Sequence, residues 1–399
     1  MEEAVIVGYL RTPFSRSRPR EPERDAFNGL RMDELAARLV TELIRQTKIN
    51  PEEIGDVLTG TAMPVQEQWM YGGRIINFLA KLPFNVPGQQ IDRQCVSSMS
   101  TIHQGAMEIM QGYSDIVISC GIEHMTHIPS LGGGGRQVPV EPNPKLFTDE
   151  WKDWDMWTTM NMGLTAEKLF AETTYTREDM DKWSLRSHQL AAKALQEGFF
   201  KGEILPIDAP QADGTTKLVD HDLSIRGDTT MEALAGLKPS FKPDGQITPG
   251  NSSPLNAGAT ALMLMSRKAA KKYNLKPLAK IVSMGWAGVD PTVMGKGPVP
   301  SSRMALEHAG LKVEDIDFWE INEAFSIVTM YCIRELGINP DKVNVKGGAV
   351  AIGHPLGATG TRLVGTLARI LNLEKGKYGL ANACVGGGQG AATILQREE

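Results

Sequence analysis

The stretch of sequence that decides the fold reads GGAVAIGHPLG at positions 347–357, and CVGGGQG follows at positions 384–390. The first presents His354 and the second begins with a cysteine, each beside glycines that let two backbone segments approach closely. A third element, DRQCVSSM at positions 92–99, places Cys95 just before a predicted helix. Two cysteines and a histidine on such turns are the parts of a thiol-based acyl-transfer site. Because the three elements agree on one chemistry, the sequence predicts that class of reaction.

Size and composition indicate an ordinary globular protein. The 399 residues favour two or three domains. A net charge of −5 argues against nonspecific nucleic-acid binding, which needs a basic face. The four widely spaced cysteines form neither a disulfide framework nor a zinc cluster, so we expect no metal and a reducing cytoplasm. No apolar run reaches the length of a membrane span, and neither end of the sequence resembles a targeting signal.

The chain repeats one pattern of elements in its two halves. In the first half, a helical pattern over 32–46 leads into an acidic turn and a short apolar strand within 49–60. In the second half, another helical pattern leads into the same features within 311–322. Aligning Ile54 with Ile316 superimposes these units.

The same alignment continues through the next elements. A helical run that begins at Cys95 precedes a strand at 115–121, and the helical run 355–371 precedes a strand at 378–383. Cys95 then falls opposite Gly357, close to the histidine of the first motif. Any α/β chain produces some coincidences of this kind. Because order and spacing agree over several elements, we favour a duplicated α/β unit.

Residues 122–250 differ in character and predict an insertion. The glycine run 132–135 is typical of a loop, whereas 161–172 and 177–197 have helical patterns. We expect a mostly helical unit that lies over the first half. Its clustered tryptophans are Trp151, Trp154 and Trp157. These rings could line an acyl pocket, but an insertion needs its own core, so we expect at least two of them to be core residues.

The motifs resemble the thiolase family, and within it the 3-ketoacyl-CoA thiolases. The resemblance runs essentially end to end and includes MGLTAE at 162–167 and NEAF at 322–325. The family fold is α/β, with two duplicated βαβαβαββ halves in five α-β-α-β-α layers and an inserted, mostly helical loop domain. The domains that this implies are an N-terminal half at 1–121 with 251–272, the inserted loop domain at 122–250, and a C-terminal half at 273–399.

The resemblance also assigns roles at the reaction centre. Cys95 is the acyl-accepting nucleophile, and its position at a helix N-terminus favours the thiolate. His354 takes the proton of this thiol and then donates to a developing enolate, while Cys384 gives and takes the protons of acetyl-CoA and CoA. The backbone N–H groups of Cys95 and Gly386 form one oxyanion site. His354 and a water held by Asn322 form the other. The structural alternatives are an inert buried cysteine and a turn histidine bonded to backbone.

CoA enters this scheme as a substrate, and the resemblance implies no metal or redox cofactor. The residues that would contact CoA are Arg226 at the adenine and 3′-phosphate, Ser253 at the pantetheine amide, and Phe241, Ala324 and Phe325 along the tail. A solvated loop arginine is an equally good interpretation of Arg226. Glu323 either orients its neighbours or is purely structural. Cys120 and Cys332 stand in apolar runs and are expected in the core.

The predicted function is that of an acetyl-CoA C-acyltransferase in fatty-acid β-oxidation. It cleaves 3-ketoacyl-CoA with CoA into acetyl-CoA and a shortened acyl-CoA, and it reverses as a Claisen condensation. The alternative enzyme is an acetoacetyl-CoA thiolase, and the alternative of another class is a noncatalytic CoA-binding subunit of a multienzyme complex. A homodimer or homotetramer is expected, paired through an edge strand at 114–120, and a β-oxidation multienzyme partner is left open.

Overall fold

The computed structural model describes residues 2–128, 142–211 and 213–398. The strands in this part of the chain are β1 (Ala4–Arg11), β2 (Ser15–Arg16), β3 (Asp56–Gly60), β4 (Gln89–Ile91), β5 (Ile116–His124), β6 (Ile207–Pro210), β7 (Thr216–Val219), β8 (Asn256–Ser266), β9 (Ala279–Gly288), β10 (Phe318–Ile321), β11 (Tyr378–Val385) and β12 (Gln389–Arg397). The helices are α1 (Met32–Thr47), α2 (Ile75–Leu79), α3 (Ser97–Met110), α4 (Met156–Thr159), α5 (Met162–Ala171), α6 (Arg177–Gln196), α7 (Met231–Ala235), α8 (Arg267–Lys272), α9 (Pro298–Ala309), α10 (Ser326–Leu336), α11 (Ala349–Ile352) and α12 (Leu356–Leu373).

The two halves build sheets with the same strand succession. In the first half β1, β8, β5, β3 and β4 are neighbours in that order, and in the second half β9, β12, β11 and β10 follow the same order. A short contact of two residue pairs between β1 and β9 joins the sheets. The alignment of Ile54 with Ile316 also pairs Ile116 with Tyr378, which are the first residues of β5 and β11. The predicted duplication is confirmed.

Helices cover both sheets and fill the space between them. On α1, Leu35, Leu39 and Leu43 lie four residues apart on one face and pack on the outer side of the first sheet. Helices α9 and α10 cover the outer side of the second sheet. Helices α3 and α12 lie between the sheets, where their core includes residues of both. β5 and β8 are buried along their whole length because both faces are covered. The result is the predicted α-β-α-β-α layering.

The helices of the insertion lie elsewhere than expected. α5 and α6 pack against α10, α11 and the 3₁₀ segment Pro291–Lys296 of the second half. The reason is that Leu169, Met180 and Trp183 join the apolar core around α10. The hairpin of β6 and β7 does contribute to the core of the first half. The prediction that the insertion lies over the first half is therefore wrong for its two longest helices.

The tryptophan prediction is also wrong. Trp154 and Trp157 are 53% and 76% exposed, so at least two of the three clustered rings are not core residues. They stand in a 3₁₀ turn and in the short helix α4, where the rings contact Trp151 and Phe147. Such short segments have too little apolar surface to enclose a ring. The glycine run 132–135 lies outside the described residues.

The strand predicted at the sheet edge lies in the interior. Most of 114–120 belongs to β5, which is hydrogen-bonded to β3 on one side and to β8 on the other. Because both of its edges are paired, β5 has no free edge for a second subunit, and the prediction is wrong. Within the described chain, the first sheet ends at β4, whose partner is β3.

Candidate active site

Cys95 lies in a tight turn that opens helix α3. The turn spans Gln94–Val96, and Gln94 has a left-handed backbone with φ of 44°. Its N–H donates to Asp92 Oδ1 at 2.8 Å, and its side-chain amide donates to the Ala62 carbonyl at 3.1 Å. A residue other than glycine adopts such a backbone only where its surroundings impose it. The turn therefore holds the Cys95 thiol in a buried position before α3.

Burial dominates the acidity of this thiol. It raises the pKa of Cys95 to about 11, and the charges of Glu123 and Asp92 act in the same direction. The backbone N–H groups of Gly386 and of Cys95 itself hydrogen-bond the sulfur and oppose the rise. The sequence suggested that the helix N-terminus would favour the thiolate, but desolvation outweighs that effect in the folded chain. The thiol is therefore protonated at neutral pH and needs a base.

His354 has one ring nitrogen committed to a hydrogen bond. Nδ1 lies 2.6 Å from Thr359 Oγ1, and that hydroxyl donates its own proton to the Pro355 carbonyl at 2.9 Å. The hydroxyl must therefore accept from the ring, so Nδ1 carries the proton and Nε2 has a lone pair. Asn256 Oδ1 accepts from the backbone N–H of His354 at 2.8 Å and fixes the residue from the other side.

The His354 ring is neutral, and Asn322 stands beside it. Burial lowers the pKa of His354 to about 3, and the charge of Arg362 adds to this effect. Asn322 Nδ2 donates to Nε2 over 3.4 Å, which is a long and weak hydrogen bond. Asn322 Oδ1 is buried and has no partner among the described residues. A buried amide oxygen of this kind is the acceptor that a bound water requires.

Cys384 lies near the end of β11, opposite Gly390 on β12. Burial, followed by the charge of Cys95, raises the pKa of Cys384 well above its ordinary value. The two thiols are therefore near enough to influence each other. A side chain at Gly390 would come within 2.1 Å of the Gly297 backbone, and Gly388 has φ of 76°. The glycines thus let the backbone close around Cys384, as predicted.

Comparison with known proteins identifies this arrangement. Residues 4–268 match the family model of the thiolase N-terminal domain, and residues 275–397 match that of the thiolase C-terminal domain. The chain belongs to the thiolase family. A 3-ketoacyl-CoA thiolase of Marinobacter nauticus is 42% identical over 99% of this chain and 98% of its own length. Another from Hahella chejuensis is 40% identical over the same shares.

Solved thiolase-family structures share the whole fold. The human mitochondrial 3-ketoacyl-CoA thiolase aligns with 100% of this chain and 99% of its own, at a TM-score of 0.87 and 32% identity. The Bacillus anthracis acetyl-CoA acetyltransferase gives 0.85 and 34% over the same shares. The predicted family, fold and acyltransferase class are confirmed.

Glu323 is a hydrogen-bonding centre that supports the thiolase site. Its carboxylate accepts from Trp183 Nε1 at 2.9 Å, Ser187 Oγ at 2.7 Å, Asn344 Nδ2 at 2.8 Å and the Val350 N–H at 3.2 Å. These partners come from α6, from the loop before α11 and from α11 itself. Glu323 therefore ties the insertion to the segment that leads to His354.

Four of the five predicted CoA residues come together. The Ser253 N–H donates to the Ala324 carbonyl at 2.9 Å, which joins two separate loops. The rings of Phe241 and Phe325 meet edge to face with centroids 6.0 Å apart. A side chain at Gly163 would come within 2.0 Å of the Phe241 ring, which explains the glycine of the MGLTAE motif.

Arg226 lies apart from that group, on the loop after β7. Its backbone N–H donates to His188 Nδ1 at 3.2 Å. Its charge and that of Arg18, after the larger effect of burial, lower the pKa of Arg16 to about 10. In the described part of the chain, none of these three arginines forms an ion pair with a carboxylate. Cationic side chains without a counter-charge mark a surface suited to an anion.

Two site residues were missed by the sequence reasoning. Thr359, in the first turn of α12, fixes the tautomer of His354. Glu123, near the end of β5, influences the charge state of Cys95. Its place at the carboxyl end of a strand in a parallel pair was the available signal, because ligand sites gather at such ends. Cys120 and Cys332 are fully buried, as predicted. No described helix has the length and apolar character to cross a membrane.

Proposed function

We propose that this protein is an acetyl-CoA C-acyltransferase that cleaves 3-ketoacyl-CoA with CoA into acetyl-CoA and a shortened acyl-CoA. The observation that supports this best is the meeting of two buried thiols, Cys95 and Cys384, with backbone N–H groups directed at the first. The neutral ring of His354 supplies the base. CoA acts as a substrate, and the reaction as proposed uses no metal or redox cofactor.

In the first half-reaction the Cys95 thiol attacks the 3-keto carbon. Its proton passes to Nε2 of His354, and the keto oxygen becomes an oxyanion facing the N–H groups of Cys95 and Gly386. The bond between C2 and C3 then breaks, which leaves the acyl group on sulfur and acetyl-CoA as its enolate. The enolate oxygen accepts from protonated His354 and from a water on Asn322, while the Cys384 thiol protonates C2.

In the second half-reaction CoA takes the acyl group from Cys95. The Cys384 thiolate left by the first step removes the proton of the CoA thiol. The CoA thiolate attacks the thioester, and Cys95 leaves and recovers its proton from His354. All protons return to their starting atoms. The same steps in reverse give a Claisen condensation of two acyl-CoA molecules.

Trapping of the acyl-enzyme tests the assignment of the nucleophile. Cys95→Ser should abolish thiolysis while leaving CoA binding largely intact, because a hydroxyl has the shape of the thiol but ionises far less readily. Wild-type protein incubated with 3-ketoacyl-CoA labelled in the acyl group should carry the label on Cys95. Cys332→Ala, which alters a structural thiol, should label normally. Label found on Cys384 instead would contradict the assignment.

The substrate class is proposed as 3-ketoacyl-CoA longer than four carbons. The curated relatives carry the name 3-ketoacyl-CoA thiolase, although one structural neighbour is an acetyl-CoA acetyltransferase. Met156, Met160 and Met162, which are half-buried, give the insertion an adaptable apolar lining. Each methylene buried contributes about 0.8 kcal/mol, so two added carbons raise kcat/KM about tenfold. Efficient cleavage of acetoacetyl-CoA alone would instead favour the short-chain alternative.

A noncatalytic CoA-binding subunit is the rival of another class. The residues that carry the chemistry are all present, and His354 is held as the tautomer that a base requires. Thiolysis by the isolated protein separates the two. A protein that binds CoA but shows no thiolysis and no exchange at C2 of acetyl-CoA would support the noncatalytic role.

The CoA contacts are proposed in two groups. Ser253, Ala324 and the two phenylalanine rings would follow the pantetheine tail, supported by their mutual contacts. Arg226 would meet the phosphates, supported by the unpaired positive charge that it shares with Arg16. Arg226→Ala should raise KM for CoA and change kcat little. An unchanged KM would leave Arg226 as a solvated loop residue.

A homodimer or homotetramer is proposed, paired through β4. This strand ends the first sheet, and the preceding segment exposes Trp69, Tyr71 and Phe84, the last at 94%. A free edge beside exposed aromatic rings is an aggregation hazard unless a second chain covers it. Sedimentation at micromolar concentration should give a dimer or larger, and Phe84→Asp should weaken it. A monomeric wild-type protein would contradict this.

The proposed setting is fatty-acid β-oxidation in the cytoplasm. Support comes from the four free, buried cysteines, which suit a reducing compartment. Association with a β-oxidation multienzyme partner is an extension of the same proposal. Fractionation with detection of the native protein tests the compartment and the size of any complex.

A further inference from the structure

Glu123 is a buried carboxylate at the point where the two halves meet. It lies near the end of β5 and is 0% exposed. Oε2 accepts from the backbone N–H groups of Ala62 and Gly357, both at 2.9 Å. Oε1 accepts from Gln68 Nε2 at 2.5 Å and from the Thr61 hydroxyl at 3.5 Å. A single side chain thus connects two segments of the first half with the start of α12 in the second.

The partners of this carboxylate are all donors. Gln68 Nε2 also donates to Thr61 Oγ1 at 3.1 Å, so the hydroxyl proton is free to point at Glu123. A protonated carboxyl group would direct its own O–H at a donor, which the geometry opposes. Burial raises the pKa of Glu123 to about 7, and the negative charge of Asp92 adds to it, while the hydrogen bonds of Ala62, Gln68 and Gly357 lower it. The contacts therefore favour the anion.

Glu123 is linked to the segments that carry both His354 and Cys95. Gly357 follows His354 by three residues, so its N–H anchors the turn that carries the base. The fit there is tight, because a side chain at Gly357 would come within 2.4 Å of the Ile122 carbonyl and 2.6 Å of Thr61 Cα. On the other side, Ala62 donates its N–H to Glu123 at 2.9 Å and accepts from Gln94 Nε2 at 3.1 Å, which links the carboxylate to the turn that carries Cys95. The Glu123 charge raises the pKa of the Cys95 thiol from this side, after the larger effect of burial.

We propose that Glu123 is a positioning residue for acyl transfer, which fixes the start of α12 next to His354 and places a negative charge against the turn that carries Cys95. This inference rests on the proposed function and deepens it. The carboxylate acts through its neighbours and need not touch the substrate. An amide of the same size retains part of the contact set but carries no charge, so the two effects can be separated by substitution.

Glu123→Gln is the decisive variant. Its NH₂ group would face donors, so the turn at Gly357 should loosen and kcat should fall about 10- to 100-fold with KM for CoA nearly unchanged. Removal of a nearby negative charge should also shift the pH midpoint of Cys95 alkylation by iodoacetamide downward, by about one unit. The alkylated peptide is identified by mass spectrometry. Loosened packing would admit water and lower the midpoint as well, so the midpoint is compared with that of Glu123→Asp, which disturbs the packing but keeps the charge.

Glu123→Asp keeps the negative charge but shortens the side chain, so it separates the effect of the charge from that of the hydrogen bonds. It also provides a test if the glutamine variant fails to fold. The shorter carboxylate keeps its charge but cannot hold both backbone donors, so the alkylation midpoint should stay near wild type while kcat falls. The matched control is Glu167→Gln, since Glu167 is also buried and accepts backbone N–H groups, at Gln246 and Ile247. Its alkylation midpoint should not move.

Two results would overturn the proposal: wild-type kcat in Glu123→Asp, or an unchanged alkylation midpoint in folded Glu123→Gln. Failure of the proposed function is distinguishable from both. Alkylation is measured without substrate, so a wild-type protein that alkylates normally at Cys95 but shows no thiolysis argues against the function alone.

Discussion

Thr359→Val should impair catalysis by releasing the tautomer of His354. Thr359 Oγ1 lies 2.6 Å from Nδ1, and its own proton is donated to the Pro355 carbonyl. Valine keeps the volume and branching of threonine but offers no acceptor. The Nδ1–H group would then be buried without a partner, and the ring could move its proton to Nε2. In that tautomer His354 cannot accept the proton of Cys95.

The size of the effect follows from the lost hydrogen bond. Leaving a buried donor unpaired costs about 1–3 kcal/mol. The tautomer with its proton on Nε2 avoids this cost. Asn322 Oδ1, which is buried and has no partner among the described residues, would accept from Nε2–H after rotation of the amide. Since about 1.4 kcal/mol corresponds to tenfold, kcat should fall about 5- to 150-fold. KM for CoA should change little, because the hydroxyl of Thr359 bonds His354 and Pro355, neither of which is among the predicted CoA residues.

Steady-state thiolysis and the single-turnover rate of Cys95 acylation measure this loss. Thr361→Val is the matched control, since Thr361 is buried on the same helix and its hydroxyl makes only long contacts of 3.4 and 3.5 Å. A Thr359 variant with wild-type acylation would refute the tautomer argument. Equal losses in both variants would point to general damage of α12 and would refute it as well.

Three further predictions concern separate parts of the chain. Cys384→Ala should still acylate at Cys95 but lose deuterium exchange at C2 of acetyl-CoA; unchanged exchange would contradict a proton-transfer role. Gly163→Ala should raise KM for CoA, because the new methyl group would lie only 2.0 Å from the Phe241 ring and would push the ring aside. An unchanged KM would argue that the Phe241 ring does not contact CoA. For His127, burial lowers the pKa, but the hydrogen bond and charge of Glu67 outweigh it and raise the pKa overall. That stabilisation is complete below the unfolded pKa of about 6.5 and fades as pH rises through the folded pKa, so His127→Gln should lower Tm more at pH 6 than at pH 9. Equal losses of Tm at the two pH values would contradict the linkage.

The fold and the candidate site residues could be predicted where they depend on a local sequence pattern. The duplication was visible because each half repeats a helix, an acidic turn and a short strand, and the alignment of Ile54 with Ile316 matched strand starts in space. The candidate reacting residues were singled out because each stands on a glycine-rich or helix-opening turn, and their roles stay a prediction. The close approach of Gly390 to Gly297 is the physical reason for one of those glycines.

The errors concern properties that depend on distant parts of the chain. The apolar segment 114–120 reads as a strand, but only the pairing of β5 with β3 and β8 places it in the interior. The true edge, β4, has three residues and little apolar pattern. The thiol of Cys95 was expected to ionise readily because a helix begins beside it. Its burial, which raises its pKa to about 11, depends on the packing of both halves.

The shifted pKa values of Cys95 and His354 determine the charge of this pair at neutral pH. Burial raises the pKa of Cys95 to about 11 and lowers that of His354 to about 3, so at neutral pH the thiol is protonated and the imidazole ring carries no charge. Without substrate, both groups are therefore neutral. Alkylating agents and oxidants react with the thiolate, so they should react slowly with Cys95. A bound 3-keto group changes this balance, because the charge that leaves sulfur moves to an oxygen facing the N–H groups of Cys95 and Gly386. In the mechanism proposed above, the nucleophile is therefore generated during the attack, and the Cys95 thiol stays protonated until then.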